Sequence, residues 1–579
     1  MRSIVLLAAL AAAPAAPAAA QALQALGAAP APNAIGIPRS GPIDITFDRA
    51  LDPATVTPAV VRVMGRWSGV AAGALTLHDG DTRLRFTPAQ PFSAGEIVTM
   101  QISRALAAAD GQLLDTAHGW TWWAAVTAGG GVIVPIDTVR VRLPGEGLII
   151  SYGGSAADFN GDGWSDLLIA NEAANDVRMF LNDGAGGYSD FTVWPLPGGS
   201  VPSPVDTGDF DADGDVDAVV ANLGTNKVHV LLNDGAGAFP SRVAYTAGQT
   251  VRSVVVLDLD GDGIDELVTA NNTADNVTVL TGQAGGTFSA PVALAQTWNG
   301  PHALAVADVD GDGVLDVYLG NRQAQSIVSL RSNGLGALVP AGTASSCGGP
   351  WQVAAGDLDN DGDADVATSS YLCNVVTIHL SNGAGGFLPS FSLPTGSFVI
   401  AIDMGDLDGD GDLDIVTSNY NSGDFRIHEN LGGGSFAPAR ILAATGAGSC
   451  ALLHDRDNDG DLDITGVDEI DDLLFIYRND AVSAGPAGPD AAPAVQLSVV
   501  GANPSRTGTV ARVELAETVD ARLSLFDAQG RRVRVVHDGA LAAGRHDLSL
   551  STAGLAPGVY VLRLESAVGS GVARLAIAR

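Results

Sequence analysis

Carboxylates dominate the chemistry available to this chain, and they recur in one arrangement. A nine-residue string with acidic or amide side chains at positions 1, 3, 5 and 9 occurs seven times. The first three copies offer Asp158, Asn160, Asp162 and Asp166, then Asp209, Asp211, Asp213 and Asp217, then Asp258, Asp260, Asp262 and Glu266. The fourth and fifth offer Asp308, Asp310, Asp312 and Asp316, then Asp357, Asp359, Asp361 and Asp365. The last two offer Asp406, Asp408, Asp410 and Asp414, then Asp455, Asp457, Asp459 and Asp463. Position 6 is Gly in every copy, where a positive φ lets the chain reverse so that alternate side chains converge. Position 7 varies (Trp164, Asp215, Ile264, Val314, Asp363, Asp412, Asp461), so its expected contribution is the backbone carbonyl.

Calcium takes six to eight hard oxygens in flexible geometry, whereas magnesium wants fewer protein ligands in strict octahedral order. The expected cofactor is therefore about seven Ca²⁺ ions, one per string. Solvated acidic turns are the bland alternative. Four carboxylates within nine residues would destabilise one another there unless a cation neutralised them. The strings hold close to half of the chain's 65 acidic residues. Seven divalent ions would bring the formal charge from -35 to about -21. No helical pattern flanks the strings, which excludes an EF-hand. The first string, with Asn160 and no additional acid, is the poorest donor set and should bind least tightly.

Other chemistry is sparse. No HExxH, GxSxG, CxxC or P-loop pattern occurs, so no catalytic residue and no organic cofactor site are expected. Gly-rich runs such as Gly184-Ala185-Gly186-Gly187 read as hairpin turns. His229, His379 and His428 alternate within strands and read as packing. Trp298 and His302 share a loop, and Trp351 could stack on a sugar ring or plug a ring of sheets.

The elements that must hold these strings repeat with them. The strings start 51, 49, 50, 49, 49 and 49 residues apart. Each is preceded by a short apolar run such as Val399-Ile400-Ala401 and followed by a β-branched run such as Ile415-Val416-Thr417. An alternating strand such as Val228-His229-Val230-Leu231-Leu232, a Gly-rich turn and a fourth strand opening at Phe239, Phe288, Phe387 or Phe436 complete the unit. Four short strands per roughly 50 residues is a propeller blade, whereas solenoid repeats are usually shorter. The seventh unit supplies only three strands, so residues near 137–143 are expected to complete it, removing an open sheet edge.

The flanks bound the rest. Arg2, the apolar Ile4 to Leu10 and Ala18-Ala19-Ala20 read as an export signal over 1–20, and no later run is apolar enough for a membrane helix. A net charge of -35 argues against nucleic acid. Cys347, Cys373 and Cys450 allow one disulfide at most.

The seven DxDxDG-type strings make residues 130–480 resemble the FG-GAP or VCBS repeats of integrin α-like propellers. That resemblance implies calcium at the bottom-face loops and ligand contact on the top face. The implied contact residues are Trp298 to His302, Gly348 to Trp351, Tyr371, Asn419 to Asn421, Asn171, Asn175, Asn222 and Asn226. It also places Cys347 and Cys373 in neighbouring top-face loops, which implies their disulfide, with Cys450 a buried residue of an inner strand. Residues 31–127, with Ile43-Asp44-Ile45-Thr46-Phe47-Asp48 and Leu84-Arg85-Phe86-Thr87-Pro88, resemble an SbsA-type Ig-like domain. After a linker at 481–494, residues 495–579 carry Asn503-Pro504, the run Leu525 to Arg531 and Gly558-Val559-Tyr560, and resemble a FlgD-like or type IX secretion sorting domain. That likeness implies type IX-like secretion machinery as a partner.

The expected architecture is all-β, a seven-bladed β-propeller flanked by two small Ig-like β-sandwich domains. The expected function is a secreted or cell-surface bacterial calcium-binding module for adhesion to a glycan or protein, without enzymatic activity or transmembrane anchor. A secreted calcium-dependent polysaccharide lyase or hydrolase is the alternative. It would need an Arg, Lys, Tyr or His cluster at one pocket, and the propeller sequence is poor in bases.

Overall fold

The computed structural model describes residues 21–481, 495–499, 508–515, 518–527, 532–556, 558–566 and 569–577. The expected export signal, the linker beyond Ala481, and the Asn503-Pro504 and 528–531 parts of the C-terminal motifs lie outside the described residues.

Strict polar–apolar alternation makes strands that bury one face. In Ile43–Phe47 the buried residues are Ile43, Ile45 and Phe47, and in Ile97–Ile102 they are Val98, Met100 and Ile102. One N-terminal sheet is ordered Ala25–Ala29, Ile43–Phe47, Arg83–Pro88, Gly73–His78. The other is ordered Gly69–Val70, Val61–Gly65, Ile97–Ile102, His118–Trp123. They share a core that includes Trp120 and Trp122, as in an Ig-like sandwich. The first strand lies ahead of residue 31, where the domain was expected to begin. Its Ala- and Gly-rich sequence carries no alternation and is held by backbone pairing to Ile43–Phe47.

Seven four-stranded antiparallel sheets follow, each with its strands in ring order from first to fourth. The inner strands are Ser151–Ala157, Pro202–Gly208, Val251–Leu257, Pro301–Ala307, Pro350–Gly356, Val399–Gly405 and Gly448–His454. Each packs against the next and the last against the first, which is the closed arrangement of a β-propeller. The second strands, such as Asp217–Asn222 and Asp414–Asn419, are buried at every residue and therefore show no alternation.

The seventh sheet takes its fourth strand from the N-terminal side: Gly129–Arg140 pairs with Leu473–Ala481, Arg140 opposite Leu473 and Gly129 opposite Ala481. The exchange expected near 137–143 is present, with the strand beginning earlier and ending at Arg140. The Phe positions differ from expectation. Phe239 and Phe436 precede the fourth strands Ser241–Thr246 and Arg440–Ala443, and Phe288 and Phe387 likewise sit in the hairpin before theirs. Buried there, Phe239 meets Phe159 and Trp194 edge-on at about 6 Å, so these rings wedge neighbouring sheets together.

The C-terminal strands form a three-stranded sheet (Val495–Val499, Gly508–Leu515, Gly544–Ser551) and a four-stranded one (Arg532–Leu541, Val519–Asp527, Gly558–Ser566, Gly569–Ile577). Leu523, Leu525, Leu562 and Leu564 fill the core of this small β-sandwich. Among the described residues no helix is long and apolar enough to cross a membrane.

Cys347 and Cys373 form a disulfide, Cα atoms 6.0 Å apart, joining the segment before the fifth inner strand to the turn after that sheet's second strand. Cys450 is buried in the seventh inner strand. Closing a loop of this length stabilises by roughly 3 kcal/mol in the chain-entropy account. Replacing both residues (C347S with C373S) should therefore lower the calorimetric midpoint by a few degrees without changing the far-UV spectrum. An unchanged midpoint would show that the bridge constrains nothing.

Candidate metal loops and the channel they surround

All seven acidic strings connect the first to the second strand of a sheet and so lie on one face of the ring. Their backbones are built alike. In the first, third, fourth, fifth and sixth loops the position-1 carboxylate accepts the N–H of the position-6 Gly, at 2.8 Å for Asp158, 2.9 Å for Asp357 and 3.1 Å for Asp406. The position-5 carboxylate accepts the N–H of position 7, as Asp262 does from Ile264 at 2.9 Å and Asp410 from Asp412 at 3.0 Å. Positive φ at Gly163, Gly214, Gly263, Gly313, Gly362, Gly411 and Gly460 permits these turns.

The position-9 residues, Asp166, Asp217, Glu266, Asp316, Asp365, Asp414 and Asp463, begin the second strands and are fully buried. In six of them one oxygen accepts the N–H of position 2 and the other an N–H at or just past the end of the third strand, as Asp217 does from Phe210 at 2.9 Å and Asn233 at 2.7 Å, whereas Asp463 accepts only one such N–H, that of Asn479 at 2.8 Å. Asn233 in turn donates to Phe159 O of the preceding loop at 2.7 Å, and Asn479 to Leu407 O at 2.7 Å. Asn182 and Asn430 do the same toward Arg456 O and Leu358 O, which ties four of the loops to a neighbour in the ring; Gly282, Ser332 and Ser381 hold this place in the other three sheets.

Three carboxylate oxygens come within 4.8 Å of one another in the second loop (Asp209, Asp211, Asp213), third (Asp258, Asp260, Asp262), fifth (Asp357, Asp359, Asp361) and sixth (Asp406, Asp408, Asp410). In the fourth loop the trio is Asp308, Asp310 and Asp316. Buried oxygens of Asp209, Asp211, Asp310, Asp455, Asp457 and Asp461 have no hydrogen-bond partner. Such orphans in an acidic loop are what a hard cation would satisfy, so the donor set fits calcium. Burial first and neighbouring carboxylates next push Asp410 up to about 8 and Asp461 up to about 9.

The first and seventh loops differ. Asn160 spends its amide on Asp162, donating through Nδ2 at 2.9 Å. In the seventh, Arg456 at position 2 pairs with Asp457 at 2.9 Å and reaches Asp463 at 3.3 Å, a cation supplied by the loop itself.

The N-terminal sandwich lies across this same face, an arrangement without a local sequence signal. Asp158 N donates to Trp67 O, Gly119 N to Gly313 O, Thr127 N to Gly460 O and Asn33 Nδ2 to Gly362 O, at 2.7–3.0 Å. Ser103 Oγ and Arg104 N both donate to Gly261 O at 2.8 Å. Arg66 reaches Asp403 of the sixth inner strand at 3.0 Å, and Arg62 pairs with the buried Asp265.

The sandwich thus floors a cavity of about 350 Å³ lined by all seven inner strands. At the opposite end the Trp351 indole N–H donates to the Tyr152 hydroxyl across the ring. Arg252, Arg322, Tyr371, His302 and Glu172 gather around this lid. His302 Nδ1 lies 2.8 Å from Trp351 O, Nε2 has no partner, and burial holds the ring well below the usual histidine range.

Sequence reasoning singled out His302, Trp351 and Tyr371 and missed Tyr152, Arg252, Arg322, Glu172 and Glu469. A chain poor in bases nevertheless concentrates Arg, Tyr and His at one mouth. The usable signal was positional. The second residue of the inner strands reads Tyr152, Ser203, Arg252, His302, Trp351, Ile400, Ser449 around the ring. The residue after each second strand reads Glu172, Leu223, Asn272, Arg322, Tyr371, Tyr420, Glu469. These places vary where the framework repeats. Asn171 and Asn222, implied as ligand contacts, are instead fully buried, and their Nδ2 atoms cap their own hairpins at Asp176 Oδ1 and Val220 O. Asn175 and Asn226 occupy left-handed turn positions at φ 57° and 56°. His229, His379 and His428 are buried third-strand residues.

Residues 158–220, 209–269, 258–319, 308–368 and 369–417 match the FG-GAP-like repeat family, and residues 19–123 match a bacterial Ig-like domain. No curated protein matches the chain. Among solved structures, a chain of the BBS1N–ARL6DN complex is similar at 13% identity and TM-score 0.43, over 62% of this chain and 98% of that one. A Lactobacillus plantarum protein is similar at 16% identity and TM-score 0.39, over 68% and 98%. A Bacteroides thetaiotaomicron protein of unknown function is similar at 12% identity and TM-score 0.33, over 79% and 98%.

Proposed function

We propose that this chain is a calcium-loaded, seven-bladed propeller, exported from a bacterial cell, that acts as an adhesion or glycan- or protein-binding module. The observation that carries the reading is the set of acidic loops with convergent, unpartnered buried oxygens on one face, opposite a mouth lined with variable polar and aromatic residues. Positions 1, 3, 5 and 9 and the position-7 carbonyl would hold each ion, whose charge would offset the mutual repulsion of the carboxylates. The mouth is then a preformed recognition surface on a rigid ring. The disulfide is compatible with an extracellular location. The C-terminal sandwich is assigned to sorting by type IX-like machinery on its sequence motifs.

A second reading, a calcium-dependent polysaccharide lyase or hydrolase, is favoured by one observation. A neutral His302 with a bare Nε2 shares a cavity with Tyr152 and Arg252. A glycan-array screen of the full chain with calcium and with chelator, followed by incubation of any hit, separates the two. Calcium-dependent retention of an intact glycan supports the binding module, and reproducible cleavage supports the enzyme. No retention of any glycan restricts the module to protein ligands.

A further inference from the structure

We infer that the mouth opposite the metal loops is a site for an acidic saccharide, with a uronate carboxylate held by Arg252 and Arg322 and the pyranose faces laid against Trp351 and its neighbouring rings. The inference rests on the glycan-binding reading above and narrows its ligand class.

The two guanidiniums come from adjacent sheets, Arg252 from the third inner strand and Arg322 from the turn after the fourth sheet's second strand. Both converge on the Trp351 ring, Arg322 at 4.2 Å and Arg252 at 5.9 Å from its centroid, and Arg322 also lies 4.6 Å from that of Tyr371. Stacking leaves the in-plane N–H groups of a guanidinium for an anion. Arg252 Nε is buried with no hydrogen-bond partner. By contrast Arg62, Arg66, Arg178, Arg331, Arg426 and Arg456 each sit on a carboxylate of the chain. In a chain with 65 acidic and 30 basic residues, these two juxtaposed arginines have no carboxylate within 4.0 Å among the described residues, Glu172 acting on Arg252 only from farther off, which leaves their N–H groups to an external anion.

The rest of the mouth selects among anions. Half-buried rings run on from Trp351 to Tyr371 (5.2 Å between centroids), Phe398 (5.7 Å) and, through Phe398, Tyr420 (5.8 Å). A wall of this kind suits the apolar faces of sugar rings and has no use for a bare inorganic anion. Across the ring stand Glu172, on the first sheet, and Glu469, on the seventh, as acceptors for sugar hydroxyls. Burial first, and then Glu172 beside it, pushes Glu469 up to about 7.

The test uses the calcium-loaded full chain and titration calorimetry with oligogalacturonate and oligoglucuronate, against neutral galactose and glucose oligomers of equal length. Binding of an acidic oligomer, at least tenfold tighter than its neutral counterpart, is the expected result. Arg252→Met and Arg322→Met should each weaken it tenfold or more while leaving the calcium-dependent unfolding midpoint unchanged. Trp351→Ala should weaken acidic and neutral oligomers alike. Equal binding of both series, insensitive to the two arginine variants, would overturn the uronate assignment and leave the glycan module standing. Binding of neither series, with retention only of a zwitterionic peptide, would overturn both.

Discussion

Chelation of calcium is expected to lower the unfolding midpoint of this protein by about 15 °C or more, the largest effect any single change in conditions should have. Mass action sets the size of the effect. An ion that binds only the folded loop stabilises it by about 2.7 kcal/mol at a hundredfold excess over its dissociation constant. Several such sites act on one cooperative ring, because four of the loops are hydrogen-bonded to the next sheet through Asn182, Asn233, Asn430 and Asn479. For a domain of this size each kcal/mol moves the midpoint by about 1–2 °C, so the summed effect is tens of degrees. The Ig-like sandwich should respond too, since Trp67, Ser103, Gly119 and Thr127 bond to the loops themselves. Differential scanning calorimetry with calcium, with magnesium and with chelator checks this. A protein equally heat-resistant in all three would defeat the metal reading.

The second large effect is an inverted pH dependence of the chelated protein. Burial, followed by neighbouring carboxylates, pushes Asp406 up to about 7 and Glu266, Asp365 and Asp463 up to about 8. In the unfolded chain such groups titrate near 4. Between those values the metal-free folded state binds more protons than the unfolded one, so stability falls as pH rises. The contribution is complete below about pH 4 and lost as pH climbs through about 7 to 8. With calcium bound the same oxygens are held ionised, and stability is instead lost as protons displace the ion at low pH. Chelated protein should therefore melt higher at pH 5 than at pH 8, and calcium-loaded protein the reverse. The same order in both forms would show that these carboxylates are not the groups that metal binding satisfies.

The loops were legible because their geometry is local. Nine consecutive residues hold the donors, the Gly that turns the chain and the acid that begins the next strand, and a period near 49 residues makes sheets that can bury apolar faces only against one another. The strand exchange at 129–140 was legible for the same reason, a unit short of one strand beside a spare strand elsewhere. The Phe residues were misplaced by a few positions because a hairpin wedge and a strand start look alike in sequence.

The mouth was only partly legible. Tyr152, Arg252, Arg322 and Trp351 lie in three different sheets and the turn of a fourth, up to 199 residues apart, and no local pattern says that they meet. Nor could spacing say that the N-terminal sandwich would lie on the acidic loops, because that contact runs largely through backbone carbonyls such as Gly261 O and Gly313 O, which every sequence possesses. Sequence alone determined what each repeat is, since strand, turn and acidic set are fixed by neighbours along the chain. Only the closed ring decided which residues share one mouth and which face is covered, because closure brings together positions whose chemistry is independent of their separation.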